Sequence, residues 1–198
     1  IVGIFISSKM SGTTQSACIT RQNLGEEGIY IVDTGTVTFA LGFLVLAAVE
    51  MVKEGMDAAS VAARLEEMKG KCRLYAVVDT LEYLKKGGRL SPASAIIGTV
   101  LNIKPIITIE DGLVDAVGKA RGTQKAFAWM EQQMQKTGQT LDGKKVALGH
   151  SDSPEKLAQI KEWVLSRWTP AEITVSEIGT VVGTHAGPGC TGFAFIED

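Results

Sequence analysis

Short apolar, β-branched runs alternate along the chain with longer stretches in which apolar positions recur every three to four residues, the pattern of a layered α/β protein. The runs predict strands over 1–6, 29–33, 73–78, 104–109, 113–117, 145–149, 173–178 and 192–196. Helical spacing covers 36–54 and 57–69, the latter opening at Asp57 as N-cap with Arg64 and Glu67 on its polar side. Residues 80–102 read as two more helices broken at Gly87-Gly88, the second opened by Ser91-Pro92. A further helix is expected over 120–136, stopped by Gly138, and another from Ser153-Pro154.

The style of alternation changes along the chain. Up to residue 88, single strands are separated by long helices, as parallel βαβ units require. Beyond 103, Glu110-Asp111-Gly112 between two strands signals a hairpin. The expectation is two layered α/β domains, a parallel-sheet domain over 1–88 and a mixed-sheet domain over 89–198, with 88–103 bridging them.

Composition narrows the class of function. Of the 198 residues 45% are hydrophobic and 21% charged, which suits a folded globular protein. Residues 1–88 carry nine basic and ten acidic side chains and 89–198 carry eleven and twelve, so neither part has the basic excess that holds a phosphate backbone, and nucleic acid is not an expected partner. The longest apolar run, Phe39 to Val49, is 11 residues, short of the roughly 18 to 20 needed to span a bilayer. Cys18, Cys72 and Cys190 are odd in number and widely spaced, which fits a reduced, cytoplasmic protein without structural zinc. The chain opens at Ile1 directly into a strand-like run and reads as a piece of a longer protein.

Two segments could carry chemistry. Ser7-Ser8-Lys9-Met10-Ser11-Gly12-Thr13-Thr14 follows a strand and enters a helix, so hydroxyls and free backbone N–H groups gather where the helix dipole favours an anion. Ser11 and Thr13 are natural carboxylate or phosphate donors; an ordinary Ser/Thr helix cap would look the same. Gly183-Thr184-His185-Ala186-Gly187-Pro188-Gly189-Cys190 contains a formal G-x-G-x-x-G, but it follows no first βαβ strand, and no acidic residue follows about 20 positions on. It reads instead as a glycine-rich turn that brings backbone near a ligand while His185 points at it; a loop histidine with only structural contacts is the other reading. Arg121 stands where a strand hands over to a helix and could support a buried anion or be merely solvated. The apolar set Ile96, Ile97, Val100, Leu101, Ile103 and Ile106, with the small Ala93, Ala95 and Gly98, is core material that also suits a slot for a flexible chain. A Ser11, His185, Asp33 triad can be drawn for a small-molecule ester hydrolase, although Ser11 lacks the G-x-S-x-G elbow.

Taken together, S-S-K-M-S-G-T-x-Q-S-A at 7–17, D-T-L-E-Y-L-K-K-G-G-R-L-S at 79–91, G-K-A-R at 118–121 and H-A-G-P-G at 185–189 resemble, in order and spacing, the DegV family of bacterial fatty-acid-binding proteins. The resemblance implies a two-domain protein that holds one long-chain fatty acid in a cleft between its domains. By the same resemblance it would need no cofactor besides the lipid and would act as a carrier rather than an enzyme. Ser11, Gly12, Thr13, Arg121, His185 and Gly187 would then surround the carboxylate, with Ala93, Ile96, Ile97, Leu101, Ile103 and Ile106 along the tail. It also implies presentation of the carboxylate to a separate fatty-acid kinase for phospholipid synthesis. Met10, Gly122, Ala186, Cys190 and Thr191 depart from the family's commonest residues, and the family pattern places a further strand-helix segment with a T-S-Q-P-S-type motif ahead of Ile1.

Overall fold

The strands fall where the apolar runs place them, to within a few residues at their ends, in a computed structural model that describes residues 1–94 and 102–197. Two compact units emerge, one of residues 1–72 with 111–113, the other of 73–110 with 114–197. In the first unit β1 (Val2–Phe5), α1 (Thr13–Leu24), β2 (Tyr30–Asp33), α2 (Thr38–Lys53) and α3 (Ala58–Lys69) follow one another. β1 and β2 pair in parallel, from Val2 opposite Tyr30 to Phe5 opposite Asp33. Val32, Leu44, Ala48, Val61, Ala62 and Leu65 close the core between strands and helices, and Val2 and Ile4 pack against it. Asp57 caps α3 as expected, its Oδ1 accepting from Ser60 N at 2.9 Å, and Arg64 pairs with Glu67 at 2.6 Å on the exposed side.

The second unit comprises β3 (Cys72–Val77), α4 (Glu82–Lys86), β4 (Ile103–Glu110), β5 (Leu113–Arg121), α5 (Thr123–Lys136), β6 (Lys145–His150), α6 (Pro154–Leu165), β7 (Glu172–Glu177), α7 (Thr180–Ala186) and β8 (Thr191–Ile196). Its six-stranded mixed sheet runs in the order β5-β4-β3-β8-β6-β7. β3 and β4 are antiparallel, as are β6 and β8, while β6 and β7 are parallel. Asp111 and Gly112 both have positive φ, 48° and 74°, so the expected hairpin closes through a two-residue turn of the type that suits strand twist. α5 presents Ala126, Phe127, Met130 and Met134 at helical spacing, and α6 presents Ile160, Trp163 and Val164, to a core shared with Phe193 and Phe195 of β8. The Phe127 and Trp163 rings lie 5.2 Å apart. No helix among the described residues is long and apolar enough to cross a membrane.

Several expectations need correction. The strand near 73–78 does not extend the first parallel sheet; β3 joins β4 and β8, so the units part at Cys72–Arg73 and not near 88. Its partners come later in the chain, where local periodicity cannot point to them. β5 continues to Arg121 and the helix expected from 120 starts at Thr123. Residues 183–186 are the end of α7 and not part of a glycine loop, which begins at Gly187. Ser91 does act as a cap, its Oγ accepting from Ser94 N at 3.2 Å, while the helix expected beyond it, with Ile96, Ile97 and Leu101, lies outside the described residues.

Candidate functional site

In the first unit the chain leaves β1 into a loop tightly wound on its own backbone. Ser7 O accepts from both Met10 N (2.9 Å) and Ser11 N (3.0 Å), and Thr14 Oγ1 donates to Ile6 O at 2.9 Å. The buried Ser7 hydroxyl donates to Gly112 O at 2.6 Å. The Ser11 and Thr13 hydroxyls are 2.7 Å apart, and Thr13 N donates to Ser11 Oγ at 3.3 Å. Ser11 is half-buried; Gly12 and Thr13 are exposed. Gly12 gives α1 no side-chain cap and its first turn has no acidic residue, so the positive end of the helix faces outward beside two hydroxyls. Exposed amides and hydroxyls at a positive helix end are groups that can donate to an anion.

In the second unit the 79–91 and 185–189 motifs interlock. A Cβ at Gly87 would lie 2.1 Å from His185 Nδ1, and one at Gly187 would lie 2.4 Å from the Tyr83 ring, so each glycine makes room for a ring on the opposite helix. Gly187 also takes a φ of 77° to turn the chain out of α7. Arg89 Nη1 donates to Gly87 O at 2.6 Å, and Leu84 and Leu90 are buried beneath. The Nδ1–Cε1 edge of His185 faces Gly87, and Nδ1 is buried with no hydrogen-bond partner among the described residues.

A chain of charges runs from this turn. Lys156 Nζ donates to Gly189 O at 2.9 Å and to Asp79 Oδ1 at 2.7 Å, and the same Asp79 oxygen receives Lys104 Nζ at 2.7 Å. Partial burial works against Asp79 ionisation, but the hydrogen bonds from the two lysines outweigh it and hold the carboxyl below the usual range. Lys104 in turn lines an open cavity of about 540 Å³ with Asn102, Arg121 and Gly122. Arg121 is therefore beside a second cation, on an exposed rim. Of the expected tail residues, Ala93 is exposed, Ile103 half-buried, and Ile106 wholly covered in the core against β3 and α5.

Three side chains, Asp33, Asp115 and Tyr83, have roles that residue type and spacing do not announce. Asp33 is committed to backbone: Ser8 N reaches its Oδ1 at 3.2 Å and Gly35 N at 3.0 Å. Burial opposes its charge, yet these bonds, the Ser8 hydroxyl and Lys69 hold its carboxyl below the usual range. Asp115 receives the Ser91 hydroxyl and, at 2.6 Å, the Ser94 hydroxyl, fastening residues 91–94 to β5. Tyr83 had no signal beyond its place in the motif. No group of three His, Cys, Asp or Glu able to hold a metal occurs among the described residues.

Cys190 cannot act as a nucleophile near neutral pH, because burial pushes its thiol up to about 12. Iodoacetamide at pH 8 should therefore label the exposed Cys18 in the native protein and Cys190 only after denaturation, as peptide mass spectrometry would show; labelling of native Cys190 at the rate of Cys18 would contradict its placement.

Comparison with known proteins places the chain in a family. The family model described as "Uncharacterised protein, DegV family" matches residues 1–198. A DegV domain-containing protein of Caldanaerobacter subterraneus is 38% identical over 197 residues, covering 100% of this chain and 70% of the relative. Among solved structures, a DegV family protein from Thermus thermophilus described as fatty-acid binding superposes with a TM-score of 0.88 at 33% identity, over 100% of this chain and 70% of that one. DegV of Bacillus subtilis, described as a fatty acid binding protein, gives 0.81 at 30% identity, over 99% of this chain and 70% of that one. With the model match spanning every residue and the fold shared, this chain belongs to the DegV family.

Proposed function

We propose that this chain binds one long-chain fatty acid and presents its carboxylate to a separate fatty-acid kinase for phospholipid synthesis, acting as a carrier rather than a catalyst. The observation that carries the reading is the likeness, at 33% identity over 100% of this chain and 70% of the other, to the Thermus thermophilus protein described as fatty-acid binding. The chemistry of the two units supports it. A carboxylate only accepts hydrogen bonds, and the Ser11–Thr13 hydroxyl pair, the α1 terminus, whose N-cap Gly12 lends no side chain, and the His185 edge that does not face Gly87 all offer donors. Gly12, with no atom within 4 Å of where a Cβ would stand, leaves its backbone open to a ligand; Gly187 gives its space to the Tyr83 ring and serves the site by turning the chain out of α7, and Arg121 adds positive charge. An acyl chain of about 15 methylenes, at roughly 0.8 kcal/mol each, offers on the order of 12 kcal/mol before the entropy of association is subtracted. The tail thus supplies affinity and the polar groups supply orientation, with Ala93, Ile96, Ile97, Leu101 and Ile103 as its proposed wall and Ile106 behind it.

The hydrolase alternative draws no support from the local geometry. A triad histidine needs an acceptor at Nδ1 to set its tautomer, and that atom of His185 has none among the described residues. Asp33 is held by Ser8 and Gly35.

Ser11→Ala and His185→Ala are each expected to weaken oleate binding by about 1 to 3 kcal/mol, because each leaves a carboxylate oxygen short of a donor. Isothermal titration checks this, and unchanged affinity in both variants would contradict the head-group assignment. For the presentation step, purified kinase subunit, ATP and oleate should yield acyl phosphate only when this chain is added. Equal product without it would contradict the carrier role.

A further inference from the structure

We propose that Asp33 is a positioning residue of the head-group site: its carboxylate, joined to the backbone amides of Ser8 and Gly35, holds the loop that presents Ser11 and Thr13 to an anionic ligand. The inference rests on the fatty-acid reading above and adds a residue that itself contacts no ligand.

Asp33 ends β2 directly opposite Phe5, which ends β1, so two loops leave the paired strands side by side. The carboxylate ties them together. Ser8 N lies 3.2 Å from Oδ1 and 3.3 Å from Oδ2, and Gly35 N lies 3.0 Å from Oδ1. Three bonds of the neighbouring backbone reinforce the junction: Ser7 N donates to Thr36 O at 3.0 Å, and Thr34 donates to Phe5 O through N at 3.1 Å and Oγ1 at 2.8 Å. Ser8 is the second residue of the turn that Met10 N and Ser11 N close onto Ser7 O. Fixing Ser8 therefore fixes the turn that ends at Ser11, and through the 2.7 Å hydroxyl pair it sets Thr13 as well. Lys69 Nζ, 3.0 Å from the Asp33 backbone oxygen, anchors the same junction from α3.

A negative charge in the loop assembly that meets an anion is unfavourable in itself. If the Asp33 charge acted only electrostatically, neutralising it would tighten anion binding. Positioning has the opposite sign: an amide at this place keeps the shape and one oxygen for the two amides, but it puts an NH2 donor where Oδ2 now accepts, turning it against Ser8.

The test is titration of the full chain and its Asp33→Asn and Ser11→Ala variants with oleate and with oleyl alcohol, which keeps the tail and lacks the charge. Asp33→Asn should weaken oleate binding about tenfold and change oleyl alcohol binding by less than about twofold, a split that general damage to the fold would not give. Wild-type binding with Ser11→Ala weakened but Asp33→Asn unchanged or tighter would overturn this proposal alone. Equal weakening for both ligands would overturn it by reducing Asp33 to a stability role. Failure of the wild-type chain to bind oleate at all would overturn the fatty-acid reading and this inference with it.

Discussion

Gly87→Ala is expected to weaken fatty-acid binding at least as much as His185→Ala while leaving the protein folded. Gly87 sits at φ −75° and ψ −9°, a conformation alanine adopts freely, so the backbone gives no reason for misfolding. The severe conflict is with one side chain, because the new Cβ would stand 2.1 Å from His185 Nδ1, while the nearest backbone atom, Tyr83 O, lies at 3.1 Å and asks for a shift of only a few tenths of an ångström. The imidazole must swing away to relieve the overlap, and the donor it offers moves with it. About 2 kcal/mol of affinity, some 30-fold, should be lost. Oleate titration together with urea unfolding would measure both effects. Retained affinity would mean that the imidazole serves the α4–α7 packing and not the ligand.

The largest effect on stability is expected from Gly192→Ala. Gly192 lies in β8 opposite Gly149 of β6, and on the other side β3 comes so close that a Cβ would be 2.4 Å from Tyr75 O and 2.6 Å from the Ala76 Cβ. The carbonyl is backbone of an interior strand and the Ala76 methyl is fixed directly to that backbone, so neither can rotate aside. β3 and β8 would have to separate in the middle of the six-stranded sheet. A loss of about 3 kcal/mol, at the upper end of the usual cost of overpacking, is expected in urea unfolding. A loss under about 1 kcal/mol would show that the strands can spread locally.

The contrast between these glycines shows what was legible in the sequence. The resemblance singled out Gly87, in G-G-R, and Gly187, in H-A-G-P-G, as parts of motifs, but only the structure shows that each vacates space for a ring across the α4–α7 contact. Gly192 lay in a strand-like run, and nothing local marked it as the point of closest strand approach. Strand positions were legible because apolar runs of β-branched residues repeat at short range, and the Asp111-Gly112 turn because its dihedrals demand those residue types. Strand partnership was not. By local pattern β3 reads as a continuation of the first sheet, whereas its bonds go to β4 and to β8, whose residues lie far along the chain. The end of α7 was hidden for a different reason: Gly183, Thr184 and Gly187 are poor helix formers, and Gly183 N and Gly187 N nevertheless join a helical hydrogen-bond ladder, each at 2.8 Å.

The candidate site was legible at its hydroxyls and its histidine, because residue type alone announces a donor. The groups that hold those donors were less so. Asp33 could be picked out only as a hypothetical triad member, whereas its partners are backbone amides of Ser8 and Gly35. Asp79 joins Lys104 and Lys156 across 25 and 77 residues of sequence, and Asp115 reaches back to Ser91 and Ser94. Supporting carboxylates of this kind depend on tertiary placement, which no spacing rule encodes.

Whether the chain carries a fatty acid is decided by extracting the purified protein into organic solvent and quantifying the extract by mass spectrometry against protein concentration. Long-chain fatty acid approaching one molecule per chain is expected, reduced in Ser11→Ala and His185→Ala. An extract free of fatty acid, from protein that also fails to take up added oleate, would contradict it.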